Sequence, residues 1–215
     1  MHTNDNFTYI FSEIMENQWK NITVEESAKI KAVLEDSEAS QEERMIRLAA
    51  IVQGVSEDVI LNLPLNQASE VFALVWGLDN PPKRNKVRRT YQVGDWDLKV
   101  TDATDMSVAQ WVDFQSDGKD MEKNMVEVLS CALVPKGKKY NEDYDIEKLK
   151  EDLKGMPVCD ALAVCFFFQK RWLKSMRRTL NYLVGWTMLK GKKGRELKAK
   201  ALETRAEVSD MLRSL

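Results

Sequence analysis

The same ordered series of helix landmarks occurs twice in this chain, and that constrains its fold more than any other feature. The first series opens at Ile22-Thr23-Val24-Glu25-Glu26 and passes through an apolar stretch ending Leu48-Ala49-Ala50-Ile51-Val52. It then reaches Leu63-Pro64-Leu65 and closes in the apolar run from Val71 to Trp76. The second opens at Met106-Ser107-Val108-Ala109-Gln110, passes through the run from Val128 to Val134, reaches Met156-Pro157-Val158 and closes in Val164-Cys165-Phe166-Phe167-Phe168. With only 9 glycines and 5 prolines in 215 residues, few points break a helix. The expectation is a mainly α protein: two pseudo-repeated helical units flanking a small β-hairpin, with long C-terminal helices.

Local signals place the elements. Thr23-Val-Glu-Glu26 and Ser40-Gln-Glu-Glu43 are capping boxes, in which the hydroxyl takes a free amide and the glutamate reaches back to the cap. The first predicts a helix to about Leu34. The second predicts a helix with Met45, Leu48, Ala49 and Val52 on one face, stopped by Gly54. Ser56 is expected to cap a short helix, Pro64 to sit near the first turn of the next, and Asn80-Pro81-Pro82 to end it. The stretch from Val87 to Val93 alternates, Gly94-Asp95 is a turn signal, and Trp96 to Thr101 alternates again, which reads as a hairpin. It serves as a spacer or as an edge for a partner strand, with Arg88, Arg89 and Lys99 blunting unwanted pairing. Asp145 caps a helix to about Lys154. Gly155-Met-Pro157 opens the last major helix, which runs to about Lys190 or bends near Gly185. Gly191 to Gly194 reads as a basic hinge before a final amphipathic helix. The start, Met1 to Asn6, reads as loose and polar, and Phe7 to Trp19 as apolar enough to pack without declaring its type. The expected organisation is a first helical unit over 1–80, a connector over 81–104, a second helical unit over 105–190 and a C-terminal helix over 191–215.

The chemistry-bearing residues point away from catalysis. The one histidine, His2, stands in the polar start, which removes Ser-His-Asp and Cys-His pairs and most zinc sites. No Cys-x-x-Cys, His-Glu-x-x-His or EF-hand pattern occurs, and Gly191-Lys-Lys-Gly194 lacks the spacing of a P-loop. No cofactor, metal or catalytic residue is expected. Cys131, Cys159 and Cys165 lie in apolar contexts and read as reduced, buried thiols. The longest apolar stretch, Ala161 to Phe168, is far short of the roughly 18 residues of a membrane span. The N-terminus carries no secretory signal pattern.

Charge is polarised. The segment from Lys170 to Lys200 holds eleven basic residues and one acid, Glu196, and so carries +10; a net charge of -2 leaves -12 for the rest. Lys170, Arg171, Lys174, Arg177 and Arg178 recur at helical spacing, with Trp172, Trp186 and Met188 adding apolar surface nearby. This basic arm has three readings: a solvated face, a dock for an acidic protein surface (another copy of the chain included), or a contact for nucleic-acid phosphates. The acidic balance of the whole and the absence of a nucleic-acid-binding motif weigh against the third. The candidate partner-binding residues are therefore Lys170, Arg171, Trp172, Lys174, Arg177, Arg178 and Trp186.

Several of these landmarks together carry a resemblance. Ile22-Thr-Val-Glu-Glu, Ser56-Glu-Asp-Val-Ile, Leu63-Pro-Leu, the segment Met106-Ser-Val-Ala-Gln-Trp-Val-Asp-Phe-Gln115, Leu133-Val-Pro-Lys-Gly-Lys-Lys-Tyr140 and Met156-Pro-Val form a pattern that resembles tailed-bacteriophage proteins of gut phages. These are tail assembly chaperone-like or minor virion structural proteins. The resemblance covers roughly residues 19 to 185 and assigns no functional residues. It implies a non-enzymatic morphogenesis protein, with phage structural proteins as partners and the host cytoplasm or the virion as its location. It leaves three roles open: a transient assembly factor, a permanent ring, connector or packaged virion component, and a nucleic-acid-binding accessory protein.

Overall fold

A computed structural model describes residues 18–102, 105–121, 123–187 and 191–214, and within them the side chains outside 119, 182–187, 191–198 and 214. The apolar start, His2, Met188 and the side chain of Trp186 lie outside the described residues. The fold is mainly α-helical with a small antiparallel sheet, as expected. Helices α1 (Val24–Glu35), α2 (Gln41–Gln53), α3 (Glu57–Leu61) and α4 (Leu65–Val75) come first. Strands β1 (Thr90–Val93) and β2 (Trp96–Val100) follow, then α5 (Val108–Asp117), α6 (Met125–Ala132) and β3 (Leu133–Pro135). Helices α7 (Ile146–Leu153), α8 (Val158–Thr187) and α9 (Gly191–Ser214) complete the chain.

Both expected capping boxes form: Thr23 and Ser40 each accept the amide of the third helical residue, whose glutamate bonds back to the cap amide. A third box joins Ser107 and Gln110 at the start of α5, which the Ser-x-x-Gln spacing signals. Gly54 closes α2 in the left-handed conformation at φ 64, where a side chain would be strained. Two expectations need correction. Segment 191–194 is helical, not a hinge: the helical run to Ser214 begins by Gly191, so its two glycines do not break it. The first strand starts at Thr90 instead of Val87, and β3 extends the hairpin to three strands in the order β1-β2-β3. Its register pairs Leu98 with Pro135, Lys99 with Val134 and Val100 with Leu133.

The landmarks of the two series fall at matching helix positions. The caps Thr23 and Ser107 each precede a valine, and six residues beyond those valines Ile30 and Phe114 are both buried. Pro64 and Pro157 each stand immediately before their helices. In both cases the residues four and eleven positions further on are buried: Ala68 and Val75 after Pro64, Ala161 and Phe168 after Pro157. Ser56 and Asp145 each stand four residues before a buried aliphatic, Ile60 and Leu149.

The chain clusters into two compact units that do not follow the two series. Among the described residues, the first comprises those within 18–86, 92–96 and 145–163, and the second those within 87–91, 97–144 and 164–214. In the first unit, α2 packs on α1, α3 and α4. The core includes Ile30, Leu48, Ala49, Ile60, Val75, Leu78, Leu149, Leu153 and Met156. An antiparallel bridge of Thr23 with Pro157 ties the start of α1 to the start of α8. The Val24 amide donates to the Met156 carbonyl at 2.9 Å, and the Val158 amide to the Ile22 carbonyl at 2.8 Å. Asn85 adds a second tie: its amide donates to the Cys159 carbonyl at 3.1 Å, and its Nδ2 to Asp160 Oδ1 at 2.8 Å. Trp96 Nε1 donates to Asp152 Oδ2 at 2.7 Å.

In the second unit, α5 packs on α6, and the core gathers Leu98, Phe114, Val128, Leu129, Leu133, Val164, Cys165, Phe168 and Leu173. Phe114 meets Phe168 edge-on with centroids 4.8 Å apart and Trp172 with centroids 5.5 Å apart. Such pairs add about 0.5–1.5 kcal/mol beyond the area they bury. Val208 of α9 is also buried.

Candidate functional site

The stretch of α8 within the second unit has one packed face and one charged face. Val164, Cys165, Phe168 and Leu173 are buried, while Lys170, Arg171, Lys174, Arg177 and Arg178 are all exposed. At roughly 100° per residue, the five basic side chains fall within an arc of about 120°, opposite the stripe that carries Cys165, Phe168 and Trp172. Among the described residues no carboxylate pairs with any of the five. The Arg171 guanidinium lies over the Phe167 ring, 5.3 Å from its centroid. That stacking costs the arginine little hydrogen-bonding capacity and leaves its fork available to a carboxylate. The spacing therefore brings these five residues onto one surface as a dense, unneutralised positive stripe.

The aromatic candidates sit elsewhere. Trp172 is half-buried on the packed side, against Phe114, and the side chain of Trp186 lies outside the described residues. Of the three consecutive phenylalanines, Phe168 is buried and Phe166 and Phe167 are half-buried, as a 100° step between neighbours requires. Gln169 Oε1 and Trp172 Nε1, three residues apart on α8, are shut off from solvent without a hydrogen bond. Each such atom costs about 1–3 kcal/mol.

Exposed apolar surface was missed in the sequence. Val108 is 80% exposed, and Trp111 and Val112 beside it on α5 are exposed as well. Leu65 is 86% exposed, and Trp76, on the same side of α4, is exposed too. The signal was present in the spacing 108, 111, 112, which stacks three apolar residues on one face of a helix whose other face carries Phe114.

A polar cluster, buried at its Gln110–Cys131 end and half-buried at Tyr140 and Asp113, lies in the second unit. Gln110 Nε2 donates to the Cys131 carbonyl, Cys131 Sγ lies 3.6 Å from Tyr140 Oη, and that hydroxyl donates to Asp113 Oδ2 at 2.9 Å. Burial, reinforced by Cys131 and Asp113, pushes the Tyr140 phenol above its ordinary value. The tyrosine is thus a fixed protonated donor. Cys131 is enclosed, so the cluster cross-braces α5, α6 and the following loop and offers no nucleophile to solvent. In the first unit, an open groove of about 770 Å³ runs along α1, α2 and α3. Both of its lining cations are paired: Arg47 lies 2.9 Å from Asp36 and 4.0 Å from Glu57, and Lys29 lies 2.6 Å from Glu25. Among the described residues no group of three or more His, Cys, Asp or Glu side chains is placed to hold a metal ion, and no helix is long and apolar enough to cross a membrane.

No protein-family model matches the chain, and neither the curated proteins nor the solved structures contain a match.

Proposed function

We propose that this chain is a non-catalytic bacteriophage morphogenesis protein that acts through protein–protein contact, in its leading form a chaperone-like assembly factor for a tail or virion component. The observation that carries the contact reading is the basic arc of α8, five exposed cations with no described carboxylate partner. A dense positive stripe on a rigid helix suits an acidic protein surface, steering encounter and fixing register. The phage setting rests on the resemblance of the landmark series. On this reading the protein works in the host cytoplasm during assembly. A permanent place in the virion is the competing role, and it would use the same arc.

The test is co-purification of the tagged chain from infected cells, with Lys170, Lys174, Arg177 and Arg178 all replaced by glutamine in a second sample. The four residues are exposed, so the variant keeps its fold. The expected result is that the native chain brings down a virion structural protein and the variant loses at least ten-fold of it, about 1.4 kcal/mol. Equal recovery would remove the arc from the account.

A further inference from the structure

The opening and proline landmarks of the two series mark four helix starts: Thr23 and Ser107 with capping boxes, Pro64 and Pro157 with proline. One start of each kind is already joined. The bridge of Thr23 with Pro157, closed by the Val24 and Val158 amides, leaves Val24 and Val158 only 5% and 2% exposed. The remaining two starts have the same local form. The Ser107 carbonyl takes the Trp111 amide and the Pro64 carbonyl takes the Ala68 amide, just as Thr23 takes Ser27 and Pro157 takes Ala161. Yet the residues equivalent to Val24 and Val158 are Val108 and Leu65, exposed by 80% and 86%. Among the described residues neither the Val108 nor the Leu65 amide donates a hydrogen bond.

We propose that these two starts pair with each other between copies of the chain: Leu63-Pro64-Leu65 of one molecule forms with Met106-Ser107-Val108 of the next the bridge that Met156-Pro157-Val158 forms with Ile22-Thr23-Val24 inside one molecule. The occupant of each exposed patch is a second copy, because the chain itself carries the complementary motif and shows how the motif pairs. The contact is heterologous, using a different patch on each partner, so it propagates head to tail into a ring or a filament. Two apolar side chains and a bridge are too little for a specific interface of about 1,000 Å². The exposed Trp111 and Val112 flank Val108, and Phe72 and Trp76 continue the face of Leu65, which supplies further apolar area around the bridge. The opposed charges of the basic segment and the acidic remainder favour the same head-to-tail arrangement. This inference stands on the internal template and is independent of the phage reading.

The test mixes two variants with one added cysteine each, Leu65→Cys and Val108→Cys, in the presence of a short bismaleimide. The three native cysteines are buried, and the unsubstituted chain serves as background. The expected result is a covalent dimer in the mixture that neither variant gives alone, and a ladder of multimers from a chain carrying both changes. No mixed dimer above background, or a doubly substituted chain that links only to itself, would overturn the proposal. Sedimentation velocity gives an independent reading without new thiols. The native chain should gain mass with concentration, and Val108→Asp or Leu65→Asp should remain monomeric under the same conditions. A native chain that stays monomeric at high micromolar concentration would equally overturn it.

Discussion

The Cys165 thiol is enclosed between α8 and the core of the second unit, and burial pushes its pKa up to about 12 from an ordinary 9.0. A raised thiol pKa means that the unfolded chain loses its proton first. The stability tied to the protonated thiol is complete below pH 9.0 and is lost as pH rises from there towards 12. Denaturant midpoints of the native chain should therefore fall more steeply between about pH 8 and about pH 11 than those of Cys165→Ala. Parallel curves would show that the thiol is not shielded. A second prediction concerns Trp96, whose indole donates to Asp152 across 56 positions of sequence. Trp96→Phe keeps most of the ring and deletes the donor, so it should cost about 1.5–3 kcal/mol in urea unfolding, the range for a hydrogen bond to a charged group. The sequence shows Trp96 at a strand start, but nothing local names Asp152 as its partner. Partners this far apart depend on packing, and packing is not written in any short window. The buried state of the cysteines was legible, because each sits among apolar neighbours at helical spacing.

Helix starts were the most legible elements, since a capping box is complete within four residues. Thr23→Ala and Ser107→Ala should each cost about 1 kcal/mol, measured as a shift in the urea midpoint. An effect near zero at Ser107 would mean that the box does not hold α5. The opposite case is β3, only three residues long, which follows α6 without a turn and is a strand only because β2 offers it an edge. No periodicity can show in so short a segment. Packing at the end of α5 gives a sharper test. A methyl group at Gly118 would come within 3.1 Å of the Phe114 ring, which packs edge-on against Phe168 and Trp172. Gly118→Ala should destabilise by about 1–3 kcal/mol through overpacking, although alanine is the better helix former. Unchanged or raised thermal stability would show that the ring can yield. The basic arc on α8 was legible from spacing alone. The inward setting of Trp172 was not, because only the position of Phe114 decides which side of α8 is packed.

At the scale of the whole molecule, the repeated landmarks predicted the helices and their order, but not how those helices cluster. Helix α7 and the first turns of α8 belong to the second series by sequence and to the first compact unit by contact. The reason is the bridge of Thr23 with Pro157, which joins a start of one series to a start of the other and which no local signal foretells. The described structure leaves charged and apolar helix faces exposed and keeps its three thiols buried. The proposed role, contact during particle assembly, is tested most directly by quantitative mass spectrometry of purified phage particles beside the infected-cell lysate. If the proposal holds, the chain is abundant in lysate, associated with an unassembled structural protein, and missing from finished particles. A fixed copy number in purified particles would contradict the transient assembly factor and make the chain a structural component.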